Sequence, residues 1–372
     1  MKLTGFEIRR VKMPLVAPFT TSFGTQTARE VLIFRAATPE ADGWSECVTL
    51  LDPVYSPEYV EGALDVMKRF FIPALFAFQE SRGGITAAHV GEVLKKFHGH
   101  PMAKSTLETA ILDAELRIAG ISLASYLGST KTKVPSGVSV GIMNSVPELL
   151  DAVDMYVAQG YLRIKLKIQP GWDLAPVAAV RERFGDDLLL QTDANTAYTV
   201  GDAAHLAKMD AFNLLLHEQP LPEDDILGHA ELAKLIKTPI CLDESIVSAK
   251  SAADAIRLGA CSIINIKPGR VGGYLESRRI HDVAAAHRVP VWAGGMLETG
   301  IGRAANIALA GMSNFTLPGD TSASDRYYLQ DITAPFVLDN GYIDIPTGPG
   351  IGVDPDLEAL AAVTSTTEWI PA

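Results

Sequence analysis

The first 125 residues alternate apolar and polar positions as strands do, and then change to the spacing of helices. Residues 3–15 (LTGFEIRRVKMPL) and 29–38 (REVLIFRAAT) alternate like two antiparallel strands, joined by a predicted loop at 17–26 (APFTTSFGTQ). Three helical stretches follow, at residues 57–78, 86–98 and 105–119. Strands and helices in separate runs indicate an α+β domain, which we assign to residues 1–125.

From residue 126 to residue 325 the pattern changes to short runs rich in leucine and β-branched residues, each followed by a helical stretch or a loop. Eight such runs occur, at 137–142, 163–168, 188–195, 213–220, 239–245, 262–268, 289–295 and 315–320. Eight alternating strand–helix units are typical of a closed barrel rather than an open sheet. We therefore predict the α/β class, with a (β/α)₈ (TIM-like) barrel over 126–325 and the N-terminal α+β domain as its cap.

The last segment, residues 326–372, contains short strand-like pieces at 335–346 (PFVLDNGYIDIP) and a glycine-rich loop at 348–354. We expect this segment to pack back on the capping domain. The glycine clusters at 269–273 and 348–352 lack the spacing of a dinucleotide-binding loop between a strand and a helix, so turns are the better interpretation.

The composition limits the kinds of molecule that the protein is expected to bind. The chain has 372 residues, 48% of them apolar, and a formal net charge of −12, which argues against nucleic acid and does not indicate an anionic membrane. No apolar run reaches the roughly 18 residues of a membrane-spanning helix, and the N-terminus does not resemble a signal peptide. Cys47, Cys241 and Cys261 show no metal-binding spacing. We expect a cytoplasmic protein with reduced thiols.

Charged residues recur at the C-terminal ends of five consecutive predicted barrel strands, where barrel enzymes carry their active sites. In chain order they are Lys165 and Lys167, Asp193 (followed by Asn195), Glu218, Asp243 and Lys267. The three carboxylates are each 25 residues apart, about one strand–helix unit. Side chains that repeat at this interval should gather around one barrel mouth.

Burying Asp193, Glu218 and Asp243 together is costly unless a cation joins them. Three oxygen ligands favour Mg²⁺ or Mn²⁺ over zinc, which prefers histidine and cysteine. The sequence therefore predicts a divalent metal site.

The geometry of a barrel predicts where two of the lysines lie relative to each other. Lys167 and Lys267 lie on strands two and six, which are half a barrel apart, so they should face each other across the mouth. A carboxylate substrate bound to the metal would present its α-carbon to one lysine on each face. One lysine would remove the α-proton to form an enediolate, and the other would return a proton from the opposite face.

The motifs K-x-K (165–167), D-x-N (193–195), E-Q-P (218–220), L-D-E-S (242–245) and N-I-K-P (265–268) resemble those of the enolase superfamily, in its muconate-lactonizing-enzyme-like subgroup. Longer segments such as RIKLKIQPGW, NIKPGRVGGYLE and GGMLETGIGRAAN resemble the N-acylamino acid racemase / o-succinylbenzoate synthase family.

The resemblance implies a role for each matching residue. It assigns the metal to Asp193, Glu218 and Asp243, and acid/base catalysis to Lys167 and Lys267. It gives supporting polar roles to Lys165 and Asn195. Five further positions are implied to line the substrate pocket or form its lid, namely Ser139, Met296, Phe19, Phe23 and Tyr55.

The resemblance also implies the activity: metal-dependent racemisation of N-acyl, and in particular N-succinyl, amino acids, with a further o-succinylbenzoate synthase activity. The alternatives are the synthase alone, another cycloisomerase or epimerase of the subgroup, or a metal-binding barrel without catalysis, which the presence of both lysines disfavours. Asp320 and Asp325 stand five apart, where a dipeptide epimerase has D-x-D, which disfavours a substrate with a free amine. We expect a homo-oligomer.

Overall fold

The computed structural model describes residues 1–372, and its N-terminal part is built on an antiparallel sheet. The first three strands pair in order and are β1 (Gly5–Thr21), β2 (Gly24–Ala37) and β3 (Gly43–Cys47). The predicted loop at 17–26 is mostly strand, which corrects the sequence interpretation. The pairing of β1 with β2 is interrupted after Pro14. It resumes where Phe19 pairs with Gln26 and continues to the pair of Thr21 with Gly24, so the backbone of this hairpin is hydrogen-bonded almost to its tip.

Five helices follow this antiparallel sheet along the chain. They are α1 (Val60–Val66), α2 (Ile72–Arg82), α3 (Ala87–Leu94), α4 (Pro101–Ala119) and α5 (Leu123–Leu127), with one π-helical turn at Met67–Phe71. Helix α4 ends at Gly120, whose φ of 69° is left-handed and therefore suits glycine. At its other end, the backbone N–H groups of Met102 and Ala103 donate to the carboxylate of Glu58. That contact ties the segment before α1 to the first turn of α4.

The central part is a parallel sheet in which neighbouring strands follow chain order. After the short strand β4 (Lys133–Pro135), its members are β5 (Gly137–Val140), β6 (Arg163–Lys167), β7 (Leu189–Asp193), β8 (His217–Glu218), β9 (Ile240–Leu242), β10 (Ile263–Ile266) and β11 (Val291–Ala293). The helices between and after these strands are α6 (Val146–Ala158), α7 (Leu174–Phe184), α8 (Ala203–Leu206), α9 (Ile226–Leu235), α10 (Ala249–Leu258), α11 (Pro268–Val271), α12 (Tyr274–Ala286) and α13 (Gly300–Ala310). This is the predicted alternation of strands and helices.

The eighth predicted strand, 315–320, is not a continuous strand, and this corrects the sequence interpretation. The segment instead makes two isolated bridges, Phe315 with Val291 and Gly319 with Ser136. The backbone N–H of Gly137 donates to the carbonyl of Gly319, and that of Asp320 donates to the carbonyl of Ala293. The segment therefore touches both edges of the seven-stranded sheet and closes the TIM-like barrel without a ladder of its own.

The C-terminal segment returns to both halves of the molecule. Strand β12 (Tyr342–Asp344) pairs with β4 at the barrel, helix α14 (Leu357–Val363) follows, and strand β13 (Thr364–Pro371) pairs antiparallel with β1. The carboxylate of Asp113 accepts from the backbone N–H of Trp44 and of Ile351, and so joins the cap to the C-terminal segment.

An apolar layer fills the barrel below its mouth. Leu216, Cys241, Ile263 and Trp292 form one buried cluster, and the indole N–H of Trp292 donates to Sγ of Cys241 at 3.3 Å. None of the helices combines the length and hydrophobicity needed to cross a membrane.

Candidate active site

Strand register brings the charged residues to one level at the C-terminal end of the barrel. Lys167 on β6 lies beside Asp193 on β7, and Asp193 lies beside Glu218 on β8. Asp243 directly follows β9, and Lys267 directly follows β10. All of these side chains are buried, so the barrel carries a desolvated charged layer above its apolar floor.

Two lysines enter this layer from β6. Nζ of Lys167 lies 2.5 Å from Oδ2 of Asp193 and donates to Oδ1 of Asn195 at 2.6 Å. Nζ of Lys165 contacts Asp193, Glu218 and Asp320, at 3.2, 3.0 and 2.6 Å. Burial lowers the pKa of Lys165, but these three carboxylates outweigh burial and raise it, so Lys165 stays a cation. Its Nζ also lies 4.8 Å from the centre of the Trp292 ring.

Lys267 enters from β10, four strands away from β6, with β7, β8 and β9 between them. Its Nζ lies 2.5 Å from Oδ2 of Asp243 and donates to the hydroxyl of Tyr55 at 3.0 Å. Burial lowers the pKa of Lys267, and the nearby charge of Asp243 raises it by more. Lys167 and Lys267 thus flank the three carboxylates from opposite ends of the arc.

The donor set of this layer fits a hard divalent cation. Oδ1 of Asp243 is buried with no hydrogen-bond partner. Burial and the charges of Asp193 and Asp243 hold the pKa of Glu218 well above its usual range, and a bound cation would relieve that repulsion. In this structure the ammonium groups of three lysines contact the three carboxylates. No three acidic, His or Cys side chains lie close enough together to enclose an ion. Ion binding would therefore require the ammonium groups to withdraw.

Two of the loops that carry these groups have unusual backbone conformations. Asn195 and Gln219 have positive φ angles, of 42° and 37°. Such angles are uncommon outside glycine and cluster at functional sites. The Gln219 side chain explains how its loop is held, because its Oε1 accepts from the backbone N–H of Asp243 and of Ser245, at 3.0 and 3.2 Å. Gln219 therefore sets the position of the Asp243 loop.

The predicted pocket residues fall into two groups. Phe23 and Tyr55 contact each other, with ring centres 5.6 Å apart, and pack against a small apolar cluster that contains Met296. Phe19 lies elsewhere, with its ring 5.8 Å from the guanidinium of Arg326. Ser139 is buried at the end of β5, and its hydroxyl has no hydrogen-bond partner.

The aromatic side chains of Phe23 and Tyr55 lie beside the charged layer. A cleft of about 400 Å³ lies outside it, lined by Phe23, Tyr55, Asn195 and Glu244 among others. Lys167 and Lys267 are only 7% and 5% exposed and do not line this cleft. Tyr55 therefore lies between this cleft and Nζ of Lys267, which donates to its hydroxyl.

A family model described as "Enolase C-terminal domain-like" matches residues 148–360, more than half of the chain. The chain belongs to the enolase superfamily. It is 65% identical over 370 residues to an N-succinylamino acid racemase from Amycolatopsis sp, with 100% of both chains covered. It is 47% identical to an o-succinylbenzoate synthase from Geobacillus kaustophilus, over 96% of this chain and 94% of that one. An enolase-superfamily structure from Listeria innocua superposes with a TM-score of 0.94 at 38% identity, covering 100% and 99% of the two chains. The chain is accordingly an enzyme.

Sequence reasoning missed several polar residues that complete the site of this enolase-superfamily enzyme. Asp320, at the end of the closing segment, accepts from Lys165 and lies 2.9 Å from Arg163. Asn265 donates to Oε1 of Glu218 at 2.6 Å. The sequence carried a signal for both, because Asp320 ends the eighth repeat and Asn265 stands two residues before Lys267, on the same face of its strand.

Glu244 and Arg270 form a further link that no strand pattern reveals, since both lie in loops or short helices. Oε1 of Glu244 accepts from Nδ2 of Asn195 at 2.9 Å, and Arg270 donates to the backbone carbonyl of Asp243 at 3.2 Å.

Gly294 also lies against the site. A Cβ at this position would lie 2.3 Å from Oδ1 of Asn265 and 2.7 Å from Cε of Lys267. Space for Lys267 therefore requires glycine at this position.

Proposed function

We propose that this enzyme racemises N-acyl amino acids, with N-succinyl amino acids as its substrate class, by exchanging the α-proton between Lys167 and Lys267. The observation that carries the proposal is the placement of these two lysines at opposite ends of one buried arc of carboxylates. The racemase from Amycolatopsis sp, similar over the full length, supports the same substrate class.

Each lysine has its own support. Asp193 and Asn195 orient Nζ of Lys167, while Asp243 and the hydroxyl of Tyr55 orient Nζ of Lys267. In the proposed reaction one lysine takes the α-proton of one enantiomer, and the other delivers a proton to the opposite face of the same carbon. Lys165, held by three carboxylates, serves as a fixed cation and not as a base.

Asp193, Glu218 and Asp243 are the proposed holders of one Mg²⁺ or Mn²⁺ ion. When bound, that ion supplies positive charge beside the substrate carboxylate, where negative charge develops as the α-proton leaves. Burial beneath Phe23 and Tyr55 strengthens every charge interaction of the protein's own groups there, because water is excluded.

The second candidate function is o-succinylbenzoate synthesis, either alone or beside racemisation. The observation that favours it is the 47% identity to the synthase from Geobacillus kaustophilus. An elimination needs only one base, so the same pair of lysines can serve it, with the second acting as a cation. The two candidates therefore differ in whether both lysines must transfer protons.

Solvent exchange of the α-hydrogen distinguishes the candidates. N-succinyl-L- and N-succinyl-D-phenylalanine are incubated in D₂O with Mg²⁺, and both racemisation and loss of the α-proton signal are followed by NMR. Wild type is expected to act on both enantiomers. Lys167→Ala and Lys267→Ala should each abolish racemisation, a loss of about 10²–10⁴-fold or more. Each variant should keep residual exchange of the α-hydrogen for one enantiomer only. The two variants should differ in which enantiomer they still exchange.

Lys250→Ala, which removes a lysine that is 84% exposed on α10, is the matched control and should match wild type. Racemisation at the wild-type rate by Lys267→Ala would refute the two-base proposal. Absence of racemisation by wild type, with o-succinylbenzoate formed in a separate incubation with the alcohol that loses water to give it, would establish the second candidate in its place.

We also propose the division into a cap (1–125), a barrel (126–325) and a C-terminal segment (326–372), which the pairing of β13 with β1 supports. Cytoplasmic location and assembly into a homo-oligomer stay proposals. The three free, buried cysteines support the former.

A further inference from the structure

A small cavity lies between the capping domain and the barrel, away from the lysines and the proposed metal ligands. Its volume is about 20 Å³, enough for one particle the size of a water molecule, which needs roughly 10–15 Å³. Strand β3 and helix α4 line one side, and α12 and α13 line the other. The polar lining residues are Ser45, Glu46, Ser105, Thr109, Tyr274, Glu298 and Asn306, and each is more than nine-tenths buried.

Only one of the two oxygens of the Glu46 carboxylate has hydrogen-bond partners. Its Oε2 accepts from the backbone N–H and the hydroxyl of Thr299, at 2.9 and 2.6 Å. Its Oε1 is buried and has no hydrogen-bond partner. A buried, unpartnered carboxylate oxygen is costly, because it has lost its water without gaining a donor or a cation.

A second carboxylate faces the same space. Oε1 of Glu298 accepts from Nδ2 of Asn306 at 2.9 Å. A Cβ on Gly302 would lie 2.8 Å from Cγ of Glu298 and 3.0 Å from Oε2 of Glu46, so both side chains crowd one glycine. Burial and the charge of Glu298 raise the pKa of Glu46 to about 8, and Thr299 and Arg29 offset only part of this. If both were ionised, Glu46 and Glu298 would repel each other here, and a cation between them would relieve that repulsion.

We propose that this cavity binds one monovalent cation, Na⁺ or K⁺, between Glu46 and Glu298. The side chains around it offer carboxylate, hydroxyl and amide oxygens, which are ligands for a hard cation. The space excludes hydrated Mg²⁺, which usually keeps several of its waters, because the cavity has room for a single particle.

The site joins the two halves of the enzyme. Glu46 belongs to the cap, and Glu298 lies two residues after Met296, in the loop that contributes to the apolar cluster beneath Phe23 and Tyr55. A cation bound by both would hold this loop against β3. It should raise the stability of the whole chain, because it binds the folded form and not the unfolded one.

Thermal unfolding tests the proposal. The melting temperature is measured at saturating Mg²⁺ and constant ionic strength, with NaCl or KCl replacing tetramethylammonium chloride, whose cation is too large for the cavity. A saturable rise of about 2–4 °C in Na⁺ or K⁺ is expected, and the larger rise identifies the preferred ion. Glu298→Gln should abolish this rise, and Glu92→Gln, an exposed change on α3, should keep it.

A direct measurement on wild type covers the case in which Glu298→Gln does not fold. Crystals grown in RbCl or thallium acetate should show an anomalous peak between Glu46 and Glu298. Equal melting temperatures in all three salts, or an ordered water with no anomalous peak, would overturn the proposal, since the cavity would then hold water alone. Neither measurement uses turnover, so this proposal stands or falls separately from the proposed racemase activity.

Discussion

Asn265 donates from Nδ2 to Oε1 of Glu218 at 2.6 Å and thereby fixes the central carboxylate of the charged layer. Asn265 lies on β10, two residues before Lys267, so one strand both carries a proposed proton-transfer group and orients a proposed metal ligand. The other face of the same carboxylate is held by Lys165, at 3.0 Å. Glu218 is thus constrained from both sides of the barrel before any ion binds.

The metal assignment predicts an effect of Mg²⁺ on both activity and stability. Removal of divalent ions by a chelator should abolish turnover, and added Mg²⁺ or Mn²⁺ should restore it. Mg²⁺ should also raise the melting temperature of wild type, because binding to the folded chain stabilises it, and Asp243→Asn should lose that rise. Asp254→Asn, an exposed change on α10, is the control. Full activity after exhaustive metal removal would contradict the assignment.

Asp320 is expected to be a main electrostatic support of the barrel mouth. Burial raises the pKa of its carboxyl, but the charges of Lys165 and Arg163 outweigh burial and lower it to about 2. Asp320→Asn would leave two buried cations without this partner and should cost about 3–5 kcal/mol in the free energy of unfolding. Urea unfolding measures the loss. Asp325→Asn, in the same loop but exposed, should change stability by less than about 0.5 kcal/mol, and an equal effect of both would refute the prediction.

Tyr55 should serve two separable purposes. Its hydroxyl contacts Lys267 and its ring contacts Phe23. Tyr55→Phe keeps the ring but removes one hydrogen bond to a charged group. We therefore expect kcat/KM to fall about tenfold, and by a similar factor for N-succinyl and N-acetyl substrates. Tyr55→Ala should also change the ratio of kcat/KM between the two acyl groups, while the affinity for Mg²⁺ stays intact. Tyr59→Phe, on an exposed neighbour, is the control.

An unchanged ratio of kcat/KM between acyl groups in Tyr55→Ala would show that the lid does not select the acyl group. A selective loss for one acyl group in Tyr55→Phe would show instead that the hydroxyl, and not the ring, makes the selection.

Glu108 should make stability depend on pH. It is buried on α4, and its Oε1 accepts from the backbone N–H of Leu275 at 3.1 Å. Burial raises the pKa of Glu108 from 4.5 to about 8, against the opposing effect of that N–H. The folded state thus favours the protonated form, so the stabilisation is complete below pH 4.5 and is lost as the pH rises through 8.

Glu108→Gln mimics the protonated form at every pH. The variant should therefore gain about 2–4 kcal/mol relative to wild type between pH 5 and pH 9, measured as the difference in free energy of unfolding. Glu92→Gln, at an exposed site, should show no such trend. A difference between Glu108→Gln and wild type that does not vary with pH would contradict the prediction.

The sequence by itself determined the barrel and the principal charged residues. The repeat of short apolar strands and helices predicted the fold, because parallel barrel strands are buried on both faces and must be apolar at regular intervals. The spacing of Asp193, Glu218 and Asp243 placed them at one level, because each strand–helix unit returns the chain to the same end of the barrel. Phe23, Tyr55 and Met296 were grouped only through the family resemblance.

Tertiary structure alone decided what the charged residues contact. The partners of Lys165 and Lys267 include Asp320 and Tyr55, which are 155 and 212 residues away along the chain, and no local pattern encodes such contacts. The closing segment at 315–320 begins like a strand, yet it forms only two bridges, because Pro318 has no backbone N–H to donate to a ladder. The cavity between Glu46 and Glu298 exists only where two domains meet, since neither domain alone would bury both carboxylates.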